Sequence, residues 1–536
     1  MKTSLILIVL ILTLASGNAQ VSFTAVPIST SGSERAVVDM NGDMLDDLVS
    51  VSATNIQIFY QRPQGGFLER NITTEYADNL PSWSLSAGDY DNNGYNDLLY
   101  AGNNGVTFMR ANDDGTAYEE DSFPQYVFSQ RSNFVDINND GLLDAFVCHD
   151  VAPSVYYINN GDGTFIFHQG DIGDYPTGGN YGSVWIDYDN DGYMDVFIAK
   201  CNVNGDVNQR SENQLYRNDG QGNFIEVGEE TGLKDNMQTW SSAWADYDND
   251  GYLDVFIGSS SSSFNHKLNR NNGDGTFTDI SATTGIHALT MTGIENCTYD
   301  FNNDGYADII SNGNILLNNG DMTFTLIPNA LPNNNGSFGD LNNDGFIDSF
   351  ANGHIYYNNG NANHWIKIVT KGIESNSNGI GARITITSAL GTQIREVRSG
   401  EGFKYMSTLN THFGLGEDTE IATLTVRWPS GIIDTYENVD VDQTIYITEG
   451  STTVGIEENV VNNLILYPNP TEGILTLSNA NNFTNPRYSI FDMQGRLIIG
   501  SALNQNQIDV SQLANGTYLL KINDLNSTKI QRFIKK

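Results

Sequence analysis

The sequence predicts an all-β chain in which a seven-bladed β-propeller is followed by two smaller β-rich segments. Three observations point there. A nine-residue pattern, D-x-[DN]-x-[DN]-x-x-x-D, returns seven times, with starts 50, 47, 51, 59, 54 and 40 residues apart, close to the span of a four-stranded blade with variable loops. Alternating strand-forming stretches flank the pattern, and Asn-Gly or Asp-Gly hairpin signals recur after it. The composition, with 53 glycines and 17% charged residues, favours strands and turns over helices.

The first nineteen residues read as a secretory signal, with Lys2 ahead of an apolar run from Leu5 to Leu14 and small Gly17 and Ala19 before Gln20. Cleavage after Ala19 is expected. No later stretch approaches the roughly eighteen apolar residues of a membrane helix, so no transmembrane segment is expected once the signal is removed. A formal charge of −39 argues against nucleic acid or an anionic membrane as partner, because phosphates would be repelled. It suggests bound cations instead. Cys148, Cys201 and Cys297 are too few and too scattered for a disulfide framework or a zinc cluster, and buried thiols are expected.

Each repeat offers four strands. In the fifth, Ser242–Ala245 alternates, the Asp loop follows, and Leu253–Ile257 is rich in strand formers. A third strand lies near Leu268, and Asn271–Gly275 turns the chain into a fourth at Thr276–Phe277. The seventh repeat lacks a fourth strand before the composition changes near Asn363. Val21–Val26 resembles one, so the N-terminal segment is expected to complete the last blade and close the ring over residues 20–360.

The Asp loops have the spacing of a calcium site. Calcium takes six to eight oxygen ligands, and a tight loop with carboxylates at positions 1, 3, 5 and 9 and a carbonyl at position 7 supplies them. Two loops have four Asp each: Asp187, Asp189, Asp191 and Asp195 with the Tyr193 carbonyl, and Asp246, Asp248, Asp250 and Asp254 with the Tyr252 carbonyl. Four more exchange one Asp for Asn: Asp89, Asp91, Asn93, Asp97; Asp136, Asn138, Asp140, Asp144; Asp300, Asn302, Asp304, Asp308; and Asp340, Asn342, Asp344, Asp348. Six loops have Gly at position 6, where a sharp turn is expected. The first loop, Asp39, Asn41, Asp43 and Asp47, places Gly42 at position 4 and Met44 at position 6. EF-hands are excluded, because none of the seven loops has Glu at position 12. Merely polar turns would leave clustered carboxylates repelling one another. Up to seven structural Ca2+ ions are therefore expected.

These repeats resemble the FG-GAP, or VCBS, family of calcium-binding propeller blades. The resemblance implies metal loops on one face of the disc and ligand recognition commonly on the other. From Asn363 the motif stops. The runs Asn363–Ile368, Asn378–Arg383, His412–Gly416 and Val426–Gly431 together resemble the ASPIC/UnbV domain, similar to the C-terminal part of cartilage acidic protein, over residues 361–450. His412 and Arg383 have no catalytic partner at a recognisable spacing, and structural roles are expected for both. After a polar linker at 451–463, Leu464–Pro470, Gly473–Leu477, Phe491–Arg496 and Leu513–Tyr518 resemble the type A sorting domain of the type IX secretion system, over residues 464–536. That resemblance implies a β-sandwich read by the export machinery, and a secreted or outer-membrane surface location in a Gram-negative bacterium.

No nucleophile elbow, HExxH, phosphate loop or dinucleotide fingerprint occurs, and His149, His266, His287 and His354 are scattered singly. The expected function is a non-enzymatic binding or adhesion module for extracellular glycan or protein; a polysaccharide-acting lyase or hydrolase on the same scaffold is the alternative. The ligand site is expected opposite the Asp loops, where connections are longest and most varied. Trp83, Tyr181 and Trp240 each precede the first Asp of their repeat by six residues and could stack on sugar faces. Asn202, with Asn204, Asn208 and Arg210, would supply hydrogen bonds; the alternative for the rings is core packing.

Overall fold

The computed structural model describes residues 21–201 and 210–452, with 466–467, 469, 471, 473–477, 487–492, 496–503, 507–523 and 528–536 towards the C-terminus. The signal segment, Asn202, Asn204, Asn208 and most of the linker lie outside the described residues. The chain divides into two compact units, Met1–Thr453 and Val454–Lys536.

Strands dominate the first unit because the repeats alternate β-branched and aromatic residues with turn signals. Seven four-stranded antiparallel sheets result, one for each Asp loop. In the fifth repeat the order is Thr239–Ala245, Asp254–Ser259, Lys267–Asn271 and Phe277–Asp279, each strand pairing with the next. The sheet of the seventh repeat is different. Its strands Ser337–Gly339, Asp348–Ala351 and His354–Asn358 are completed by N-terminal Phe23–Pro27, which pairs antiparallel with His354–Asn358 from Phe23 opposite Asn358 to Pro27 opposite His354. Residues over three hundred positions apart thus share one sheet, and its outer edge is covered.

The first strands of successive sheets lie side by side, and the first strand of the first sheet, Ser33–Val37, packs on Ser337–Gly339 of the last. Apolar clusters fill the spaces between neighbouring sheets, as where Trp244, Val255 and Ile257 meet Ile186, Phe197 and Leu215. A polar staple recurs between repeats. Asn159, Asn271, Asn318 and Asn358, at the end of their third strands, donate through Nδ2 to the carbonyls of Tyr90, Tyr188, Tyr247 and Phe301 in the preceding repeat at 2.8–3.0 Å. Gln61 does the same between the first and last repeats, reaching the Asp340 carbonyl at 3.1 Å. Each bond joins two sheets by satisfying a buried acceptor.

Residues 364–448 add a three-stranded sheet centred on His364–Lys371 and a four-stranded sheet centred on Arg383–Ser388 and Glu420–Arg427. They belong to the first compact unit and pack over the Asp loops. Gly345 in the seventh loop lies against the Trp365 ring so closely that a Cβ there would stand 1.9 Å from it. The C-terminal unit has two sheets of its own, three- and four-stranded, around Leu475, Leu477, Ile490, Ile508, Leu520, Ile522 and Phe533. No described helix is long and apolar enough to cross a membrane.

Candidate metal loops and the opposite rim

Each Asp loop links the first two strands of its sheet, and its shape follows from two left-handed residues. Position 4 has positive φ at Asn92, Asn139, Asn190, Asn249, Asn303 and Asn343, and position 6 at the six glycines. Asparagine tolerates that region better than other side chains do. The first loop keeps the same path with the residues exchanged: Gly42 has φ 75° and Met44 has φ 69°. Met44 donates its N–H to Asp39 Oδ2 at 2.7 Å, as Gly94 donates to Asp89 Oδ2 at 3.0 Å. The departure read in the sequence therefore leaves the loop's hydrogen bonding intact.

The aspartates have two roles, and position 9 shares in both. Position 9 clamps the hairpin in all seven repeats. Asp254, for example, accepts the Tyr247 N–H on Oδ2 at 3.1 Å and the Asn271 N–H on Oδ1 at 2.8 Å. Positions 1 and 3 also converge, joined by position 9 in two loops and by position 5 in a third. Three ligand oxygens fall within 4.8 Å of one another in Asp89, Asp91, Asp97; in Asp187, Asp189, Asp195; and in Asp246, Asp248, Asp250. In the loops starting at Asp39, Asp136, Asp300 and Asp340, the position-3 Asn instead donates to the position-5 carboxylate at 2.8–3.0 Å.

These clusters fit a hard cation. Burial, reinforced by neighbouring carboxylates, pushes Asp144 up to about 8 and Asp246 up to about 7. Asp97, Asp195, Asp254 and Asp348 lie well above the carboxylate range for the same reasons. Buried Asp187 Oδ1 has no hydrogen-bond partner among the described residues. An orphaned carboxylate oxygen is costly unless a cation faces it. Tyr193 and Tyr252 stand at position 7 of their loops, where the backbone carbonyl is the expected ligand.

Residues 364–430 bring to these loops cations and a hydroxyl that no motif announces. Arg383 bonds Glu396 at 2.7 Å and lies 3.9 Å from Asp187, which Arg427 also contacts. Lys367 Nζ stands 2.9 Å from Asp340 Oδ2, and Ser377 Oγ donates to Asp89 Oδ2 at 2.8 Å. Within its own repeat, Arg270 bridges Asp248 and Asp250 at 2.6 and 2.8 Å. His412 contacts the Gly345 carbonyl at 2.8 Å, and burial lowers it to about 4. Both residues with catalytic potential in this segment are thus engaged in packing it onto the loops.

At the opposite end of the first strands, Trp83, Tyr181 and Trp240 come together around a residue that no motif singled out. The segment 397–411 descends among the first strands and returns. Asn133 Nδ2 donates to the Ser399 carbonyl at 2.8 Å, Arg131 Nη1 to Tyr405 O at 2.9 Å, and the Leu85 N–H to Lys404 O at 3.1 Å. Met406 forms a parallel bridge with Ala36. At its tip, fully buried Phe403 lies 4.8 Å from Trp240, 6.2 Å from Tyr181 and 6.3 Å from Trp83, centroid to centroid. Tyr181 is buried, whereas the two tryptophans are partly accessible. Arg210 is held by Asp150 at 2.8 Å, and Tyr181 donates to the same carboxylate at 3.2 Å. Cys148, Cys201 and Cys297 are free and buried.

Residues 39–100, 89–147, 136–198 and 187–257 match the FG-GAP-like repeat. Residues 372–454 match the ASPIC and UnbV family, and residues 465–536 the secretion system C-terminal sorting domain. Human cartilage acidic protein 1 is 24% identical over 305 residues, covering 55% of this chain and 40% of that protein's length. Among solved structures, the extracellular domain of the one component system BT4673 from B. thetaiotaomicron has a TM-score of 0.38 at 9% identity, covering 96% of this chain and 58% of that one. Rhamnogalacturonan lyase YesW has a TM-score of 0.34 at 11% identity, covering 80% and 76%. The chain is therefore a secreted or cell-surface protein that carries FG-GAP-like repeats, an ASPIC and UnbV segment and the C-terminal sorting domain of type IX secretion.

Proposed function

We propose that the seven sheets are the blades of a closed β-propeller, that each Asp loop binds a structural Ca2+, up to seven in all, and that the assembly is a non-enzymatic binding module for extracellular glycan or protein. The closure reading is supported by Phe23–Pro27 completing the last sheet. The calcium reading is carried by one observation above the rest: buried, mutually close carboxylates, with Asp187 Oδ1 left unpartnered. Calcium there would neutralise the charge and pin each hairpin, with the position-9 clamp already in place. The two sheets around Leu475 and Phe533 are read as the sandwich of a sorting domain addressed to the type IX machinery.

Binding is favoured over catalysis by the state of the titratable groups. His412 is spent on packing, Arg210 on Asp150, and the Asp clusters on the loops. The test is a screen of the purified full chain against polysaccharides with product analysis. Binding without new reducing or unsaturated ends is expected. Turnover of any of them would establish the enzyme alternative.

A further inference from the structure

The mouth opposite the Asp loops holds a cavity of about 280 Å³ lined by Ile294, Glu295, Asn312, Asn333, Asn334 and Lys404. Its walls come from the sixth and seventh repeats, and Lys404 belongs to the inserted segment. Two of the lining amides are structural. Asn312 Oδ1 accepts the Glu295 N–H at 3.2 Å, and Asn334 Nδ2 donates to Tyr405 Oη at 2.9 Å. Glu295 is likewise committed, accepting the Phe403 and Lys404 N–H groups at 2.7 and 3.1 Å. Asn333 is exposed, and the Lys404 ammonium has no carboxylate within ion-pair distance among the described residues. Among the described residues the cavity therefore presents the Lys404 ammonium, outside ion-pair distance of any carboxylate though within the field of Glu295, and the exposed Asn333 amide on a preformed polar frame.

An aromatic face adjoins it. Ser241, next to Trp240, donates to the Ile294 carbonyl at 2.9 Å, so the cavity wall continues directly into the Trp240–Phe403–Trp83 cluster. Exposed Tyr126, Phe264 and Met291 lie on connections at this same end. Aromatic rings match the apolar face of a pyranose, amides its hydroxyls, and an unpaired lysine a carboxylate or sulfate. In a chain of net charge −39, the Lys404 ammonium lining this cavity is also a point where an acidic polymer would be attracted rather than repelled.

We propose that this mouth is a composite glycan site for acidic polysaccharide, floored by residues 403–405 of the inserted segment, with Lys404 pairing the acidic group and Trp240 and Trp83 stacking on the neighbouring sugar. The proposal rests on the binding-module reading and narrows it to one ligand chemistry and one place. It makes the inserted segment part of the recognition surface as well as a packing element.

The test is calorimetry of the full chain in calcium buffer against tetragalacturonate, a sulfated κ-carrageenan tetraose and neutral cellotetraose. Binding of at least one acidic probe is expected, weakened at least tenfold by Lys404→Gln, restored by Lys404→Arg, and weakened by Trp240→Ala; Lys404→Gln should leave the melting temperature unchanged. The two acidic arms distinguish carboxylate from sulfate. Equal binding of cellotetraose and the acidic probes, or acidic binding insensitive to Lys404→Gln, would overturn the proposal while sparing the wider binding reading. Absence of heat with all three probes would also overturn it, and the polysaccharide screen above would then decide whether the chain binds any other glycan. Cleavage of a probe would overturn the non-enzymatic reading instead.

Discussion

Replacing Phe403 by Ala should destabilise the first compact unit far more than a loop-tip substitution would. Phe403 is fully buried, and its ring sits within 6.3 Å of three other aromatic rings contributed by three repeats. A large-to-small change at such a site costs about 3–5 kcal/mol, because the surrounding strands cannot close the void. For an unfolding entropy of about 2.1 cal/mol/K per residue over roughly 430 residues, that corresponds to a fall of about 3–6 °C in melting temperature. Differential scanning calorimetry in saturating calcium measures it, with exposed Phe264→Ala as control, expected to change stability by at most about 0.5 kcal/mol. The same reasoning predicts slow amide exchange at Phe403 and Met406, whose N–H groups bond Glu295 Oε1 at 2.7 Å and the Arg35 carbonyl at 3.0 Å. A change of less than about 1 °C together with fast exchange at both amides would refute the insertion of residues 397–411 among the first strands.

Three further outcomes follow from particular contacts. Asn271→Ala removes bonds to Tyr188 O and Leu253 O and should cost about 2–3 kcal/mol by chemical denaturation. Asn218→Ala, whose Nδ2 donates only within its repeat to Met194 O, should cost about half of that; equal losses would contradict the staple. Burial raises Glu295 from 4.5 to about 7, against the pull of Arg131 and Lys404. Its proton is therefore bound more tightly in the folded state, so this group's contribution is fully present below pH 4.5 and is lost as the pH rises through about 7. Glu295→Gln should flatten the thermal stability profile between those limits, and an unaltered profile would show that Glu295 is not the titrating group. Deleting residues 464–536 should leave the first compact unit folded, since the division falls at 453–454, but abolish surface delivery. Surface display of the truncated chain, followed by cell fractionation, would contradict the sorting assignment.

Much of the fold was legible because its signals are local and repeated. The Asp spacing, the hairpin dipeptides and the missing fourth strand of the seventh repeat each follow from residues a few positions apart, and the last of these led directly to the pairing of Phe23–Pro27 with His354–Asn358. Position 6 was legible from its glycines, but position 4 was not singled out, although Asn in the left-handed region is the matching requirement. The staples Asn159, Asn271, Asn318 and Asn358 also recur visibly before their turns, yet nothing local tells that their amides cross to the preceding sheet. Least legible was the inserted segment. Arg131 and Tyr405 are 274 positions apart, and the run 397–411 has neither periodicity nor a motif to announce its destination. The aromatic residues at the rim share one spacing from their loops, but Phe403, the ring that gathers them, comes from another part of the chain. The cations at Asp187 and Asp340 are illegible in the sequence for the same reason: Arg383, Arg427 and Lys367 approach only through the tertiary fold.

The central claim is that calcium in the Asp loops holds the repeats together. The most direct measurement combines elemental analysis of the purified full chain with melting curves in calcium and in excess chelator. The account predicts up to seven calcium ions per chain and a large fall in melting temperature on chelation, since each site held at one hundred times its dissociation constant contributes about 2.7 kcal/mol. A chain that purifies without calcium and melts identically in both buffers would contradict it.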